Sequence, residues 1–159
     1  MKRKQVKETQ QTLKAVCEAT LVYRTKMKYS ELPKVERSED VYEHLKHHYA
    51  TQPFDGKEYF FVTLLNRCNK IMATVKISEG GIAGTVVDFK LVFMAALLSG
   101  ASYIILSHNH PSENPKPSEA DLSLTRKIKE AAILLDIKLL DHIIVCRDVY
   151  YSIADNGQV

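Results

Sequence analysis

The sequence predicts an α/β domain, a mixed β-sheet flanked by helices. Three observations carry this. Runs rich in β-branched and aromatic residues recur at 59–65, 71–77, 101–107, 137–145 and 149–153. Stretches with helical spacing separate them, at 88–97 and after Ser118. The resulting order, β-β-α-β-α-β-β, is that of a sheet covered by helices. A chain of 159 residues is enough for one domain with a real core.

Residues 1–14 set Lys2, Arg3, Lys4, Lys7 and Lys14 against the single acid Glu8, which reads as a solvated basic arm. Val16 to Tyr23 has the composition of an edge strand, and the stretch around Pro33 reads as a loop. Residues 1–37 are therefore an arm, an edge strand and a loop. Residues 38–159 form the single domain with its leading helix. Ser38 is the expected N-cap of that helix, with Glu39 and Asp40 in its first turn. Val41, Leu45 and Tyr49 would face inward. His44, His47 and His48 lie on the same helix, and His44 and His48 have i,i+4 spacing. No carboxylate completes a metal site with them, so they read as helix-surface residues.

Tyr59 to Leu65 is a buried strand by composition, and Asn66-Arg67-Cys68-Asn69 turns it into the alternating strand that starts at Ile71. Ser78-Glu79-Gly80-Gly81 ends that strand. A carboxylate at a strand end, beside glycines, can be aimed into a neighbouring cleft. Asp88 caps the next helix and Gly100 ends it. That helix is apolar almost all round and is expected to be buried. Residues 101–107 return as a central strand. The helix from Ser118 carries Leu124, Ile128, Ala131 and Leu135 on one side. Asp141-His142 lies on the following strand. The pair can stand behind a metal ligand or be a satisfied structural pair, and the second is the expected role.

Composition excludes some classes. Net charge +3 is too mild to argue for nucleic acid. No apolar run reaches membrane-spanning length, and no apolar segment follows the basic start as in a signal peptide. No membrane partner is expected. Cys17, Cys68 and Cys146 are odd in number and widely spaced, which fits a reducing compartment, the cytoplasm.

The chemistry-bearing stretch is Ser107-His108-Asn109-His110-Pro111, followed by Ser118 and Asp121. In a strand, His108 and His110 project to one face. With Asp121 they make a two-histidine, one-carboxylate set with an open position, a pattern of catalytic zinc. Ser118-x-x-Asp121 equally fits a helix capping box without any metal.

His108-x-His110, seven residues, Ser118, two residues and Asp121 resembles the motif of the JAMM (MPN+) metalloprotease family. The text around it, Leu106 to Ser112, Lys116 to Asp121, Leu124 to Lys127 and Leu139 to His142, is similar to the RadC-type JAB domain from about Lys57 to Gly157. The resemblance implies a cytidine-deaminase-like JAB/MPN fold. It implies zinc on His108, His110 and Asp121, and hydrolysis of a peptide or isopeptide bond by metal-activated water. It implies a catalytic glutamate upstream of the histidines. Glu79, the one acid between Glu58 and Asp88, is the residue expected there. It implies that Ser118 donates to the oxyanion, although capping and that role compete for one hydroxyl. The substrate is not implied. Two features depart from the family. Glu113 stands where RadC-type domains commonly have Gly. No Gly-rich hairpin between helices appears in 1–57, which weakens the family's traditional link to DNA repair. The alternative is a non-catalytic RadC-type module, DNA-repair-associated or protein-binding, with a structural or vestigial zinc site and only the basic arm to support DNA. A zinc deaminase needs H-x-E and P-C-x-x-C, and the chain has neither.

Overall fold

The computed structural model describes residues 27–53, 56–80 and 85–159. The basic arm and the strand expected at 16–23 lie outside the described residues. Within them the order is helix α1 (Ser38–Ala50), strands β1 (Tyr59–Leu65) and β2 (Ile71–Glu79), helix α2 (Phe89–Ser99), strand β3 (Tyr103–Asn109), helix α3 (Glu119–Leu134), and strands β4 (Lys138–Val145) and β5 (Tyr150–Ser152). This is the predicted order. The five strands form one sheet, β2-β1-β3-β4-β5. β3 is antiparallel to β1 and parallel to β4, so the sheet is mixed.

The sheet separates two cores. Side chains alternate across it, and even-numbered residues of β1 and β3 (Phe60, Val62, Leu64, Ile104, Leu106) pack with Val92, Phe93 and Ala96 of α2 and Ile128 and Ala132 of α3. Odd-numbered Tyr59, Phe61 and Ile105 pack with Val41, Leu45 and Tyr49 of α1. The result is three layers. This parity decides which residues can meet at the strand ends.

Local chemistry sets the boundaries. Asp88 accepts from the Lys90 N–H and starts α2, and Gly100, at φ 65, ends it in the left-handed conformation. The β1–β2 turn is held by Asn66, whose Oδ1 accepts from the N–H groups of Cys68 and Lys70. Two expectations need correction. Ser38 is the first residue of α1, not its cap. Its Oγ donates to Asp155 Oδ2 at 2.5 Å, while Asp40 Oδ2 accepts from the N–H groups of Glu36 and Arg37. An acid that reaches back to two free N–H groups outcompetes a serine drawn to the chain's end. Helix α2 is also not buried all round. Val92, Phe93 and Ala96 are covered, but Leu91, Met94, Leu97 and Leu98 are exposed. Among the described residues no helix is long and apolar enough to cross a membrane.

Candidate metal centre

The site forms where the C-terminal end of β3 meets the start of α3. His108 is the second-last residue of β3 and faces the α2–α3 side. His110 follows two residues on and shares that face. Beyond it the chain turns through Asn114 to Ser118, which caps α3 and brings Asp121 in its first turn against both rings. Nε2 of His108 lies 2.9 Å from Nε2 of His110 and 3.4 Å from Asp121 Oδ1. Nε2 of His110 is 3.7 Å from Asp121 Oδ2. Among the described residues these three are the only group placed to share an ion.

Hydrogen bonds fix which nitrogens carry protons. Nδ1 of His110 lies 2.6 Å from the Asn114 carbonyl, which can only accept. The proton is therefore on Nδ1, and Nε2 of the neutral ring is bare. His108 is fixed from behind. The Thr125 hydroxyl donates to the Asp121 carbonyl at 2.6 Å, so its oxygen receives a proton from His142 Nδ1 at 2.7 Å. Nε2 of His142 then accepts from His108 Nδ1 at 2.8 Å. His142 is fully buried, and burial pushes its pKa well down, so it is a neutral relay. With both rings neutral, two bare nitrogens thus face each other beside a carboxylate. Zinc bonds of about 2.0–2.1 Å in a tetrahedron set ligand atoms about 3.3 Å apart, and one ligand atom from each residue lies within 4.8 Å of the other two. The donor set fits a divalent ion.

The charges agree. Burial alone would raise the Asp121 carboxyl, but His108 and His110 when protonated, together with the Ser118 hydroxyl, outweigh it and hold it far below the usual range. Asp121 in turn raises the pKa of His110. Phe60 lies parallel to the His108 ring at 6.2 Å and meets His142 edge-on, forming an apolar wall behind the imidazoles.

The two remaining expected residues fall differently. Ser118 Oγ donates to Asp121 Oδ2 at 2.6 Å and accepts from the Asp121 N–H, and its own N–H donates to the same Oδ2. Its hydroxyl is engaged in the cap, which turns Asp121 Oδ1 toward His108. Glu79 lies apart from the histidines. It pairs across the strands with Tyr59, whose parity faces α1, and its carboxylate binds Lys57 at 2.6 Å and Lys76 at 3.2 Å. These lysines, Lys57 first, hold its pKa low.

The carboxylate that does face the site is Glu58. The β1–β3 register ends with Phe60 opposite His108, and Glu58, two residues before Phe60, lies on the same side as His110 in one cleft. Glu58 is half-buried and shares a cleft of about 430 Å³ with Thr85, His110, Ser118 and Asp121. Burial raises its pKa, and the Asp121 charge adds to that while His108 opposes it. Asn109 holds it in place. Asn109 Oδ1 accepts from the Tyr59 N–H at 2.7 Å, and Nδ2 donates to the Lys57 carbonyl at 3.0 Å. The middle residue of His-Asn-His therefore clamps the backbone on both sides of Glu58. The available signal was parity: in an antiparallel pair, an acid two residues before Phe60 shares the face of His108.

His142 stands behind a metal-ligand candidate, the less expected of its two roles. Asp141 is structural. It accepts from the N–H groups of His142 and Ala154 and from Ser152 Oγ.

Comparison with known proteins agrees with this fold. The model of the RadC-like JAB domain matches residues 35–158. A UPF0758 protein of Flavobacterium johnsoniae is 49% identical over 109 residues, covering 67% of this chain and 48% of that protein. One from Geotalea uraniireducens is 38% identical over 132 residues, 83% of this chain and 57% of that protein. One from Geobacter sulfurreducens is 42% identical over 119 residues, 75% of this chain and 51% of that protein. The chain spans about half the length of the curated relatives it matches. With a family model covering most of its length and this mixed α/β sheet, the chain belongs to the RadC-like JAB domain family.

Proposed function

We propose that this domain is a zinc-dependent hydrolase of peptide or isopeptide bonds. The observation that carries the reading is the convergence of two bare imidazole nitrogens and a carboxylate beside a half-buried glutamate in one open cleft. When bound, zinc acidifies a water molecule and polarises a carbonyl. Glu58 takes the proton of the attacking water and passes it to the leaving amine. The water oxygen joins the carbonyl carbon, the C–N bond breaks, and an acid and an amine leave. A carboxylate whose pKa is raised by burial is suited to both halves of that transfer. Ser118 orients Asp121, and Asn109 orients Glu58. Glu58 takes the role that sequence order suggests for Glu79, because Glu79 is bound to two lysines and faces the other side of the sheet.

The experiment is a peptide and isopeptide screen on zinc-loaded protein, with Glu58→Gln and Glu79→Gln as a pair. Glu58→Gln is expected to keep its zinc and lose about 10²–10⁴-fold in rate. Glu79→Gln is expected to stay within about twofold, because it touches neither the water nor the ligands. Loss in Glu79→Gln with retention in Glu58→Gln would overturn the base. Absence of turnover on every amide substrate by zinc-loaded protein would overturn the hydrolase reading.

A further inference from the structure

We infer that His142 and Thr125 are positioning residues that set the tautomer of His108 and thereby the affinity of the site for its metal. The inference rests on the metal-centre reading above and adds what decides whether His108 can serve as a ligand.

One chain of contacts fixes where the protons lie. An imidazole ligand offers a lone pair only from its unprotonated nitrogen. Nothing in the ring of His108 prefers Nδ1–H over Nε2–H strongly enough to settle this, so its partner must. That partner is His142, itself a ring with two tautomers. The ambiguity ends at Thr125, whose hydroxyl proton goes to the Asp121 carbonyl, an acceptor only. The direction then propagates: Thr125 oxygen accepts, His142 carries its proton on Nδ1, and His108 carries its proton on Nδ1 as well. Nε2 of His108 is left bare on the side of His110 and Asp121. The chain starts at the backbone of one ligand candidate and ends at the ring of another, so α3 and β3 are registered to each other by it. All three side chains are at most 1% exposed, so water cannot substitute for a lost partner.

Without the Thr125 hydroxyl, the Nδ1–H of His142 would be buried and unpaired. The ring is then better satisfied with its proton on Nε2, donating to His108 Nδ1. That reversal puts the His108 proton on Nε2, where the metal must bind. Thr125→Val is close to isosteric and removes this acceptor together with the hydroxyl's donation to the Asp121 carbonyl. Thr125→Ser restores it.

The test combines zinc affinity, measured by competition with a chromophoric chelator, and nitrogen-15 NMR of the imidazoles in metal-free protein above neutral pH. The parent is expected to bind one zinc, with His108 and His142 both protonated on Nδ1. Thr125→Val is expected to bind zinc about 10–100-fold more weakly, with His108 protonated on Nε2. Thr125→Ser should return both readouts to the parent's. Purely structural damage would lower affinity without reversing the tautomer. Thr125→Val that binds zinc as tightly as the parent, or keeps His108 protonated on Nδ1, would overturn the inference. So would a parent whose His142 is protonated on Nε2, a result that needs no variant to fold. A parent that binds no zinc would instead sink the metal-centre reading, so the two failures are distinguishable.

Discussion

The six histidines of the chain divide into two groups of three, and the groups differ in everything except composition. His44, His47 and His48 lie on α1. The rings of His44 and His48 are 4.9 Å apart, and His44 Nε2 meets the hydroxyl of Thr74 at 2.9 Å. Among the described residues no acid joins them to make a set of ligands. His108 and His142 stand on neighbouring strands of the sheet and His110 just past the end of one, with a carboxylate in front and a buried hydroxyl behind. Histidine proximity alone therefore makes no metal centre. What makes one is an anion to offset the ion's charge, and partners that strip the protons from the facing nitrogens.

The largest test of this contrast is metal content. His108→Ala should drop bound zinc from about one per chain to none, read by elemental analysis of protein prepared without chelator. The double variant His44→Ala/His48→Ala should keep its zinc. Zinc lost from the double variant and kept in His108→Ala would reverse the assignment of the two clusters.

A second test separates holding the ion from placing the base. Asn109 lies between the ligand candidates but touches neither the rings nor Asp121, only the backbone around Glu58. Asn109→Ala should retain zinc and lose hydrolysis, in parallel with Glu58→Gln. It should also destabilise the fold by about 1–3 kcal/mol, because the buried Tyr59 N–H loses its acceptor. Denaturant unfolding and elemental analysis check both arms. Full hydrolytic rate in Asn109→Ala would show that strand pairing alone positions Glu58.

His110 and His44, one ring from each cluster, respond to pH in opposite directions. Asp121 raises His110 above the ordinary histidine value, whereas burial, with no anion to offset it, lowers His44 to about 4. The sign for His44 follows from its unfolded value of about 6.5. Between 6.5 and 4 the unfolded chain binds a proton that the folded chain refuses. The His44 contribution to stability is whole above pH 6.5 and is lost as pH falls toward 4. Allowing for the ring's partial exposure, the loss is on the order of 1–2 kcal/mol. His44→Gln should flatten the stability curve of metal-free protein in that window. An unchanged slope would mean that Thr74 and the helix do not desolvate the ring.

How much of this was legible in order and composition differs between fold and site. β2 declared itself by period two, the other strands by composition, and Asp88 and Gly100 by their chemistry, because these are local signals. Asp121 was legible because one helical turn joins it to Ser118. Glu58 was not, because its value depends on which strand pairs with which and in what register. Sequence order favours Glu79, next to glycines, while the β1–β3 pairing puts Tyr59 and Glu79 on the opposite face from His108. His142 failed to stand out for the same reason, since its partners lie 34 and 17 residues away. Helix α2 misled in another way. An apolar sequence states what can be buried, and only the packing says which side is, so the exposure of Leu91, Met94 and Leu98 could not be read.

The smallest expected effect concerns Glu113, at a position where the sequence resemblance leads to the expectation of glycine. Glu113 sits at φ 57, a left-handed conformation that glycine adopts more readily. Its carboxylate accepts from the Arg147 N–H at 3.0 Å and lies 3.5 Å from Arg147 Nε, tying the turn after His110 to the β4–β5 connection. Glu113→Gly relieves the backbone and removes the tie. Each is worth about 1 kcal/mol at an exposed position, with opposite sign, so stability should change by less than about 1 kcal/mol. The tie still bears on the site, because the next residue, Asn114, receives the Nδ1–H of His110. A looser turn lets that ring swing, and zinc should bind more weakly by less than about tenfold. A larger loss would mean that the Glu113 carboxylate holds His110 in place as firmly as the His142–Thr125 chain holds His108. No loss would mean that the Asn114 carbonyl suffices, and that the acid at 113 concerns the cleft's rim and not its ligands.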